Sequence, residues 1–292
     1  MPTSLPHRRL GDRTVSAIGL GAMPMSLSDP EAPARAEATV HAALDAGVTL
    51  IDTADCYAPS GTGLGHNERL VAAALASWDG DVDQVLVATK GGIRRDGPGW
   101  PVDGRPEWIR RAVEGSLQRL GVDRIELYQH HRPDPAVPYE ETIGAFADLV
   151  ASGQVARVGL SNADPAQIRS AHRILGPALV SVQNQFSPAF TSSAPEIEVC
   201  AELGLAFLPW SPLGGMRHAA QLGEEYAAFA RVATRHDATP QQVALAWELA
   251  QDPCVIPIPG ASRPESIRAS LAALDLVLTP EDLAELGSPL QP

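Results

Sequence analysis

The sequence predicts a closed (β/α)8 barrel, and two observations support this fold class. Short apolar runs of strand length alternate with amphipathic, helix-like stretches over most of the 292 residues. Several of the runs are almost wholly apolar, as is typical of parallel strands that are buried on both faces. Eight such runs occur, the number that a barrel requires: residues 17–20, 48–51, 85–89, 125–128, 155–160, 179–182, 205–208 and 254–258.

Between the runs, the sequence carries signals for where helices start and stop. The apolar positions of Pro106–Leu120 keep helical spacing. Asp164 and Thr239 each precede a proline and stand three positions before a glutamine, which is the capping-box pattern. Glycine, which adopts the left-handed helix-end conformation without steric cost, stands shortly before four of the runs: Gly47, Gly121, Gly153 and Gly204.

A doubly wound open sheet is the rival architecture for the same alternation. Residues 8–16 read as a short hairpin that turns at Gly11 and Asp12, and such a hairpin could plug one end of a barrel. No linker of changed composition and no internal repeat divides the chain, so we expect one domain over residues 1–292. The Gly/Pro-rich stretch 91–104 follows the third run, where a barrel keeps its active-site loops.

Composition and charge narrow the classes of partner and compartment. The net charge of −13 disfavours nucleic acid and anionic membrane surfaces as partners. Three scattered cysteines are too few for a disulfide framework or a zinc site, and we expect a cytoplasmic protein. The first ten residues lack the apolar core of a signal peptide, and no apolar run approaches the length of a membrane span.

Lys90 is the only lysine among 22 basic residues, and it closes the apolar run 85–89. A cation at the end of a buried strand must be paired or functional, because an isolated buried charge is costly. The plainer alternative is that the chain favours arginine over lysine throughout and that Lys90 is retained by chance. An ammonium group also differs from guanidinium in that its pKa moves readily on burial.

Polar residues recur where the runs end, and in a barrel those carboxyl ends converge on one mouth. Asp52 at the neighbouring strand end is the expected counter-ion of Lys90, and Tyr57 follows five residues after Asp52. A nearby ammonium lowers the pKa of a phenol, so we expect Lys90 to make Tyr57 a general acid for a carbonyl oxygen. The alternative is a structural Asp–Lys pair with Tyr57 as a surface aromatic residue.

The adjacent histidines His130 and His131 suggest a metal site, but we predict none. Adjacent strand residues point to opposite faces, so the two rings cannot easily share one ion. We instead expect one of the two to face the mouth and to orient the substrate oxygen.

These residues together resemble the signature of the aldo-keto reductase family over nearly the whole chain. The matching segments, in the order of the family, are Asp52-Thr53-Ala54-Asp55-Cys56-Tyr57, Gly65-His66-Asn67-Glu68, Lys90 at a strand end, Leu127-Tyr128-Gln129-His130-His131-Arg132-Pro133, Ser161-Asn162, Trp210-Ser211-Pro212-Leu213-Gly214 and Ile258-Pro259-Gly260-Ala261-Ser262-Arg263.

The resemblance implies a catalytic tetrad of Asp52, Tyr57, Lys90 and His131, in which the family pattern Leu-Tyr-x-x-His-x-Pro selects His131. It also implies a cofactor, NADPH/NADP+, lying across the barrel mouth without a Rossmann domain. The chain agrees, because Gly19-Leu20-Gly21 lacks the third glycine and the helix of the dinucleotide fingerprint.

The implied cofactor contacts divide by the part of the cofactor that they hold. Ser161, Asn162 and Gln183 correspond to the carboxamide contacts, and Trp210 would stack on the nicotinamide ring. Ser211, Leu213 and Gly215 would line the pyrophosphate, whereas Gly260, Ser262 and Arg263 would hold the 2′-phosphate. The remaining cofactor contacts that we expect are Gly21, Ala22, Met23, Ser266 and Ser270.

Two departures from the family pattern affect the ligands. Ser266, Ala269 and Ser270 stand where the family often has larger polar residues that contact adenine, so the preference for NADPH rests heavily on Arg263. The chain ends soon after Leu283, so we expect an open pocket. Its expected substrate contacts are Met25, Trp100 and His130, with Met23 and the loops near Phe186 and Met216 beside them.

The leading hypothesis is therefore NADPH-dependent reduction of an aldehyde or ketone, with Tyr57 as the proton donor. A Lys90 Schiff-base aldolase and a non-catalytic NADPH-binding regulatory subunit are the alternatives. The expected partner is a small carbonyl substrate, in a monomer or homo-oligomer. The sequence does not name that substrate.

Overall fold

The computed structural model describes residues 5–27, 32–95, 99–215, 218–287 and 290, with the side chain of residue 220 left out. A two-stranded antiparallel hairpin precedes a curled parallel sheet of seven strands in sequential order. The strands are β1 His7–Leu10, β2 Arg13–Ser16, β3 Leu20–Gly21, β4 Leu50–Asp52, β5 Leu86–Gly91, β6 Leu127–His130, β7 Val158–Ser161, β8 Leu179–Gln183 and β9 Ala206–Phe207.

The eighth predicted run, 254–258, forms no regular strand, but it closes the barrel. Its backbone bridges Phe207 of β9 on one side, through Val255, and the adjoining Gly260 bridges Gly21 of β3 on the other. The amide of Ile256 donates to the carbonyl of Phe207 at 2.7 Å. Pro257 and Pro259 interrupt the ladder because proline has no N–H to donate. The closed (β/α)8 barrel is therefore confirmed, and the open-sheet alternative is wrong.

Helices cover the outside of the barrel, in alternation with the strands. The α-helices are α1 Pro24–Leu27, α2 Pro33–Asp45, α3 His66–Ala76, α4 Pro106–Leu120, α5 Tyr139–Ala151, α6 Pro165–Leu175, α7 Ala194–Leu203, α8 Leu222–Glu225, α9 Ala227–Arg235, α10 Pro240–Leu249, α11 Pro264–Leu271 and α12 Pro280–Leu286. Short 3₁₀ segments lie at Val82–Gln84, Gly176–Ala178, Ala219–Gln221 and Ala272–Asp275. None of the helices in the described ranges is long and apolar enough to span a bilayer.

The helix boundaries follow the signals read from the sequence. Capping boxes form at Asp164 with Gln167 and at Thr239 with Gln242. Gly121 and Gly204 end α4 and α7 with φ angles of 68° and 70°, the left-handed region that suits glycine. A third capping box, at Thr279, was not predicted.

The hydrophobic core has an inner and an outer layer on the two faces of the sheet. The inner layer takes side chains from the strands, such as Leu50, Leu127 and Ile256, together with Leu10 and Val15 of the hairpin. The hairpin tip fits tightly, because a Cβ on Gly11 would lie 2.4 Å from Val180. As expected, the hairpin closes the amino end of the barrel and leaves the carboxyl end as the mouth.

Candidate active site

The carboxyl ends of the strands bring the predicted polar residues to one mouth. The register pairs Gly21 with Asp52 and Lys90 with Gln129. On the far side, Ser161 pairs with Gln183. Parallel pairing keeps these strand ends level, so side chains far apart in sequence face a common cavity.

Lys90 connects the acidic and phenolic groups of the site. Its Nζ donates to Oδ1 of Asp52 at 2.6 Å, to the carbonyl oxygen of Thr53 at 2.9 Å and to Oη of Tyr57 at 3.2 Å. Lys90 is fully buried, and all three of its donors have acceptors. Burial acts to lower the pKa of Lys90, but Asp52 and Tyr57 outweigh it and raise this pKa, so the ammonium stays charged.

Asp52 is held by donors on three strands. Its Oδ1 takes the bond from Lys90, and its Oδ2 accepts from Nε2 of Gln183 at 2.7 Å and of Gln129 at 3.1 Å. The carboxylate is therefore fixed in place and neutralised by the ammonium. The sequence indicated neither glutamine as an Asp52 partner, and the donor group of Gln183 is aimed at Asp52.

The expected lowering of the Tyr57 pKa is wrong for the structure as it stands. Burial raises the pKa of Tyr57 to about 12, although Lys90 acts in the opposite direction. The ammonium of Lys90 is visible in the sequence, whereas the cost of burying a phenolate is not. Lys90 therefore limits the rise in this pKa, and Tyr57 remains a protonated donor at neutral pH.

His130 and His131 lie on opposite sides of the barrel wall. His131 is 8% exposed and lines the cavity, and its ring lies edge-on to Tyr57 at a centroid distance of 5.7 Å. Burial, followed by the charge of Lys90, lowers the pKa of His131 well below its usual value, so the imidazole is neutral. His130 instead points outwards and packs against Tyr139 and Phe146 of α5.

A cavity of about 670 Å³ lies above these groups, within the range of small-molecule sites. Tyr57 and His131 lie in its wall, whereas Lys90 lies behind Tyr57. The other described residues of the wall are Gly21, Met23, Pro24, Asp52, Ile93, Trp100, Arg132, Ser161, Asn162, Gln183, Trp210, Ser211, Pro212, Leu213, Gly215, Ala219, Ile258 and Gly260.

The wall has features that fit a nicotinamide cofactor. Asn162 and Ser211 hold left-handed φ angles of 57° and 52°, a strained conformation that concentrates at ligand sites. Nδ2 of Asn162 donates to the carbonyl of His131 and to Oγ of Ser161, which leaves its Oδ1 able to accept from a carboxamide. Nε1 of Trp210 is buried without a partner in the described part of the chain. Leu213 and Gly215 continue the wall beyond Ser211.

Several expected contacts lie outside the cavity wall. Met25 is buried in the hydrophobic cluster beneath α1, and Ala22 is buried beside it, so neither side chain reaches the mouth. The outward position of His130 corrects its assignment as a substrate contact, because strand alternation gives the mouth to His131. Met216 lies outside the described residues.

The residues expected at the 2′-phosphate and adenine also lie beyond the wall, except Gly260. Arg263 is exposed at the start of α11, and its side chain contacts no described residue through a hydrogen bond or an ion pair. Ser270 donates back to the carbonyl of Ser266 at 3.1 Å. Ser262 and Ser266 are half-buried.

The cavity includes Ile93 and Arg132, which sequence reasoning did not assign. Ile93 belongs to the loop after β5, and Arg132 follows His131 directly. The position of Arg132, two residues past the end of β6, was the available signal. The sequence also did not indicate that Sγ of Cys56 lies 3.4 Å from Nδ1 of His131.

Comparison with known proteins shows which family this chain resembles. A model of the aldo/keto reductase family matches residues 17–289. The chain is 35% identical to a probable aldo-keto reductase 1 of Glycine max, over 93% of this chain and 84% of that protein. It is 32% identical to an uncharacterized oxidoreductase of Schizosaccharomyces pombe, over 95% and 88% of the two chains.

Solved structures share the whole fold. A thermostable aldo-keto reductase crystallised with the inhibitor epalrestat superposes with a TM-score of 0.82 at 28% identity, over 97% of this chain and 98% of that one. An aldo/keto reductase from Klebsiella pneumoniae, crystallised with NADP and acetate, gives 0.80 at 28% identity, over 97% and 94%. Because the family model matches most of the chain and a relative is 35% identical over 93% of it, the chain belongs to the aldo/keto reductase family.

Proposed function

We propose that this protein reduces an aldehyde or ketone to an alcohol with NADPH, and that Tyr57 protonates the substrate oxygen. The observation that carries the proposal is the geometry of Tyr57. Its hydroxyl meets the Lys90 ammonium on one side, and the residue borders the cavity on the other. A carbonyl oxygen placed there would meet a proton donor backed by a fixed positive charge.

Each group of the site has a distinct task in this proposal. Tyr57 gives its proton to the substrate oxygen, and Lys90 stabilises the phenolate that remains. Asp52 holds Lys90 charged and aimed, and it is itself fixed by Gln129 and Gln183. His131 is neutral and donates a hydrogen bond that orients the carbonyl.

The cofactor supplies a hydride when it is bound. Asn162, Ser161 and Gln183 would hold its carboxamide and Trp210 its ring, and Ser211, Leu213 and Gly215 would line the pyrophosphate. Arg263 would take the 2′-phosphate, because guanidinium presents forked donors to phosphate oxygens. NADP and NADPH complexes of the relatives from Klebsiella pneumoniae support this choice.

The burial of Lys90 argues against the aldolase alternative. A Schiff base requires a neutral amine that can reach the substrate carbonyl. Lys90 is fully buried, has three acceptors, and has its pKa raised by Asp52 and Tyr57 against the effect of burial.

The free cysteines support the expectation of a reducing, cytoplasmic compartment.

A screen of aldehydes, ketones and alcohols with NADPH and NADH in parallel tests the function. We expect consumption of NADPH with several carbonyls and weaker activity with NADH. An Arg263→Met variant should lose the preference for NADPH while keeping turnover at saturating cofactor. Tight NADPH binding without turnover of any carbonyl would contradict the enzymatic function and favour the regulatory subunit.

A further inference from the structure

The wall of the cavity carries one uncompensated charge among its described residues, and that charge is positive. Asp52 and Arg132 are the charged side chains among the described residues of the wall. Asp52 is neutralised by Lys90 at 2.6 Å and satisfied by two amide groups. Arg132 is exposed, and within the described ranges its guanidinium forms no hydrogen bond or ion pair.

An arginine without a counter-ion among the described residues is unexpected in a chain with a net charge of −13. Other arginines meet acceptors on the protein surface; Arg157, for example, pairs with both Asp12 and Glu126. Arg173, Arg263 and Arg268 also lack described partners, but none of them lies in the cavity wall.

Arg132 lies in the same cavity wall as Tyr57 and His131. It follows His131 directly, and its charge is one of the causes that lower the pKa of His131, after burial and Lys90. Apolar side chains, including Met23, Ile93 and Trp100, form other parts of the wall. The ring of Trp100 lies 6.3 Å from that of Tyr57 and so partly covers the phenol.

We propose that the substrate is an aldehyde or ketone that also carries an anionic group, a carboxylate or a phosphate, which Arg132 binds. This inference rests on the proposed function, since it names the class of carbonyl compound that the same site takes. A guanidinium binds either anion through paired N–H donors. Binding at Arg132 would leave the carbonyl end of a short substrate within reach of Tyr57 and His131.

Matched substrate pairs test this inference. One pair is 4-carboxybenzaldehyde with its methyl ester, and the other is glyceraldehyde 3-phosphate with glyceraldehyde. We expect wild type to favour the anionic member of at least one pair. The pair that shows this preference identifies the anion as a carboxylate or a phosphate. In Arg132→Met the ratio of kcat/KM within that pair should fall by about 10- to 100-fold, the usual worth of a hydrogen bond to a charged group.

The controls separate the subsite from other roles. Arg173→Met removes an exposed arginine outside the cavity and should leave the ratio unchanged. The affinity for NADPH should be the same in wild type and Arg132→Met. An equal fall for both members of each pair, or weaker NADPH binding in proportion, would overturn the inference.

Failure of the proposed function has a different signature, namely no turnover of any carbonyl. Calorimetric titration of the NADPH complex with 4-carboxybenzaldehyde and with glyceraldehyde 3-phosphate would then decide the subsite. Weaker binding of one of the two in Arg132→Met than in wild type supports the subsite, and equal binding of both contradicts it.

A separate observation concerns the second ring nitrogen of His131. Sγ of Cys56 lies 3.4 Å from Nδ1 of His131, and both residues are buried. A neutral imidazole carries its proton on one nitrogen, and the partner of the other nitrogen decides which. Burial, reinforced by Asp55, raises the pKa of the Cys56 thiol well above its usual value, so the S–H proton remains.

We infer that Cys56 is a positioning residue that donates its S–H to Nδ1 and so keeps the His131 proton on Nε2. This ring nitrogen is then the donor that faces the cavity. Among the side chains that the structure describes, His131 is the hydrogen-bond partner of Sγ of Cys56. Asp55, Cys56 and His131 also place potential metal ligands within 4.8 Å of one another, but a raised pKa at both Asp55 and Cys56 favours protonated groups over ligands.

Variants at Cys56 test this role with two readouts. In Cys56→Ala we expect ¹⁵N NMR of the ring to report a mixture of tautomers and kcat to fall about 10-fold with little change in KM, as the loss of one hydrogen bond predicts. Cys56→Ser retains a donor and should restore the Nε2–H tautomer and most of kcat. If the alanine variant does not fold, the tautomer in wild type and in the serine variant decides.

Three results would overturn the assignment. The first is an unchanged tautomer and kcat in Cys56→Ala. The second is an Nδ1–H tautomer in wild type. The third is one equivalent of metal in the purified protein, because Nδ1 would then be a ligand.

Discussion

Two buried ion pairs lie on opposite faces of the same strand and serve different ends. Lys90 and Asp52 form the inner pair at 2.6 Å, at the mouth of the barrel. Arg119 of α4 and Glu68 of α3 form the outer pair at 2.5 Å, between the sheet and its helices. Adjacent residues of β5 reach the two pairs, since Lys90 belongs to the inner one and Thr89 donates to Glu68 at 2.7 Å.

The difference lies in where the remaining donors point. Arg119 donates to Glu68 and to Oγ of Ser116, which belongs to its own helix. Lys90 keeps one donor for Tyr57, a group that borders the cavity. Strand alternation thus separates a pair that fixes the fold from a pair that can act on a ligand, although both pairs are largely buried.

The largest effect that we predict is at the inner pair. Lys90→Met removes the positive charge beside Tyr57, so kcat/KM of the folded variant should fall by about 10²–10⁴, the range of an acid–base contribution. Asp52 would also keep an unpaired charge, which should lower the free energy of unfolding by about 3–5 kcal/mol. Steady-state kinetics with circular dichroism on the same samples measure both. Turnover near that of wild type would contradict a catalytic role for the inner pair.

The outer pair should affect stability and leave chemistry intact. Glu68→Gln leaves Arg119 without its counter-ion, and we expect the free energy of unfolding to fall by about 3 kcal/mol, the low end for a broken buried pair because Arg119 is partly hydrated. The kcat of the folded protein should stay within about threefold of wild type. Urea denaturation and kinetics below the transition test this, and a loss of kcat matching that of Lys90→Met would contradict it.

His130, on the outer face, should contribute to the loss of stability in acid. Burial lowers the pKa of His130 from 6.5 to about 4. Between these pH values only the unfolded chain binds the proton, so stability falls as the pH drops from 7 to 4, by about 3 kcal/mol from this residue. His130→Leu should remove that part of the loss, measured as the difference in unfolding free energy between pH 7 and 4.5. An unchanged difference would show that His130 titrates normally in the folded protein.

Sequence patterns predicted the barrel because its signals are local. Capping boxes, glycine stops and apolar runs depend on neighbouring residues, and the hairpin turn at Gly11 is equally short-range. The irregular eighth strand could have been anticipated from Pro257 and Pro259, whose missing N–H groups are visible in the sequence.

The errors in the site arise from quantities that spacing does not encode. Tyr57 illustrates this, because the cost of its burial depends on the whole surrounding wall and reverses the expected direction of its pKa shift. Gln183 bonds to Asp52 across 131 positions of sequence, a contact that only barrel closure creates. The strand ends did predict which residues share the mouth, and they predicted the contacts of Lys90 with Asp52 and Tyr57, but not the bonds of the two glutamines to Asp52.

The measurement that tests the account most directly is turnover by Tyr57→Phe with NADPH binding measured in parallel. Phenylalanine keeps the ring against His131 and Trp100 and removes only the hydroxyl that Lys90 contacts. We predict that kcat falls by about 10²–10⁴ while the dissociation constant of NADPH changes by less than about threefold. Carbonyl reduction at the wild-type rate in this variant would contradict the central claim that the Tyr57 hydroxyl is the proton donor.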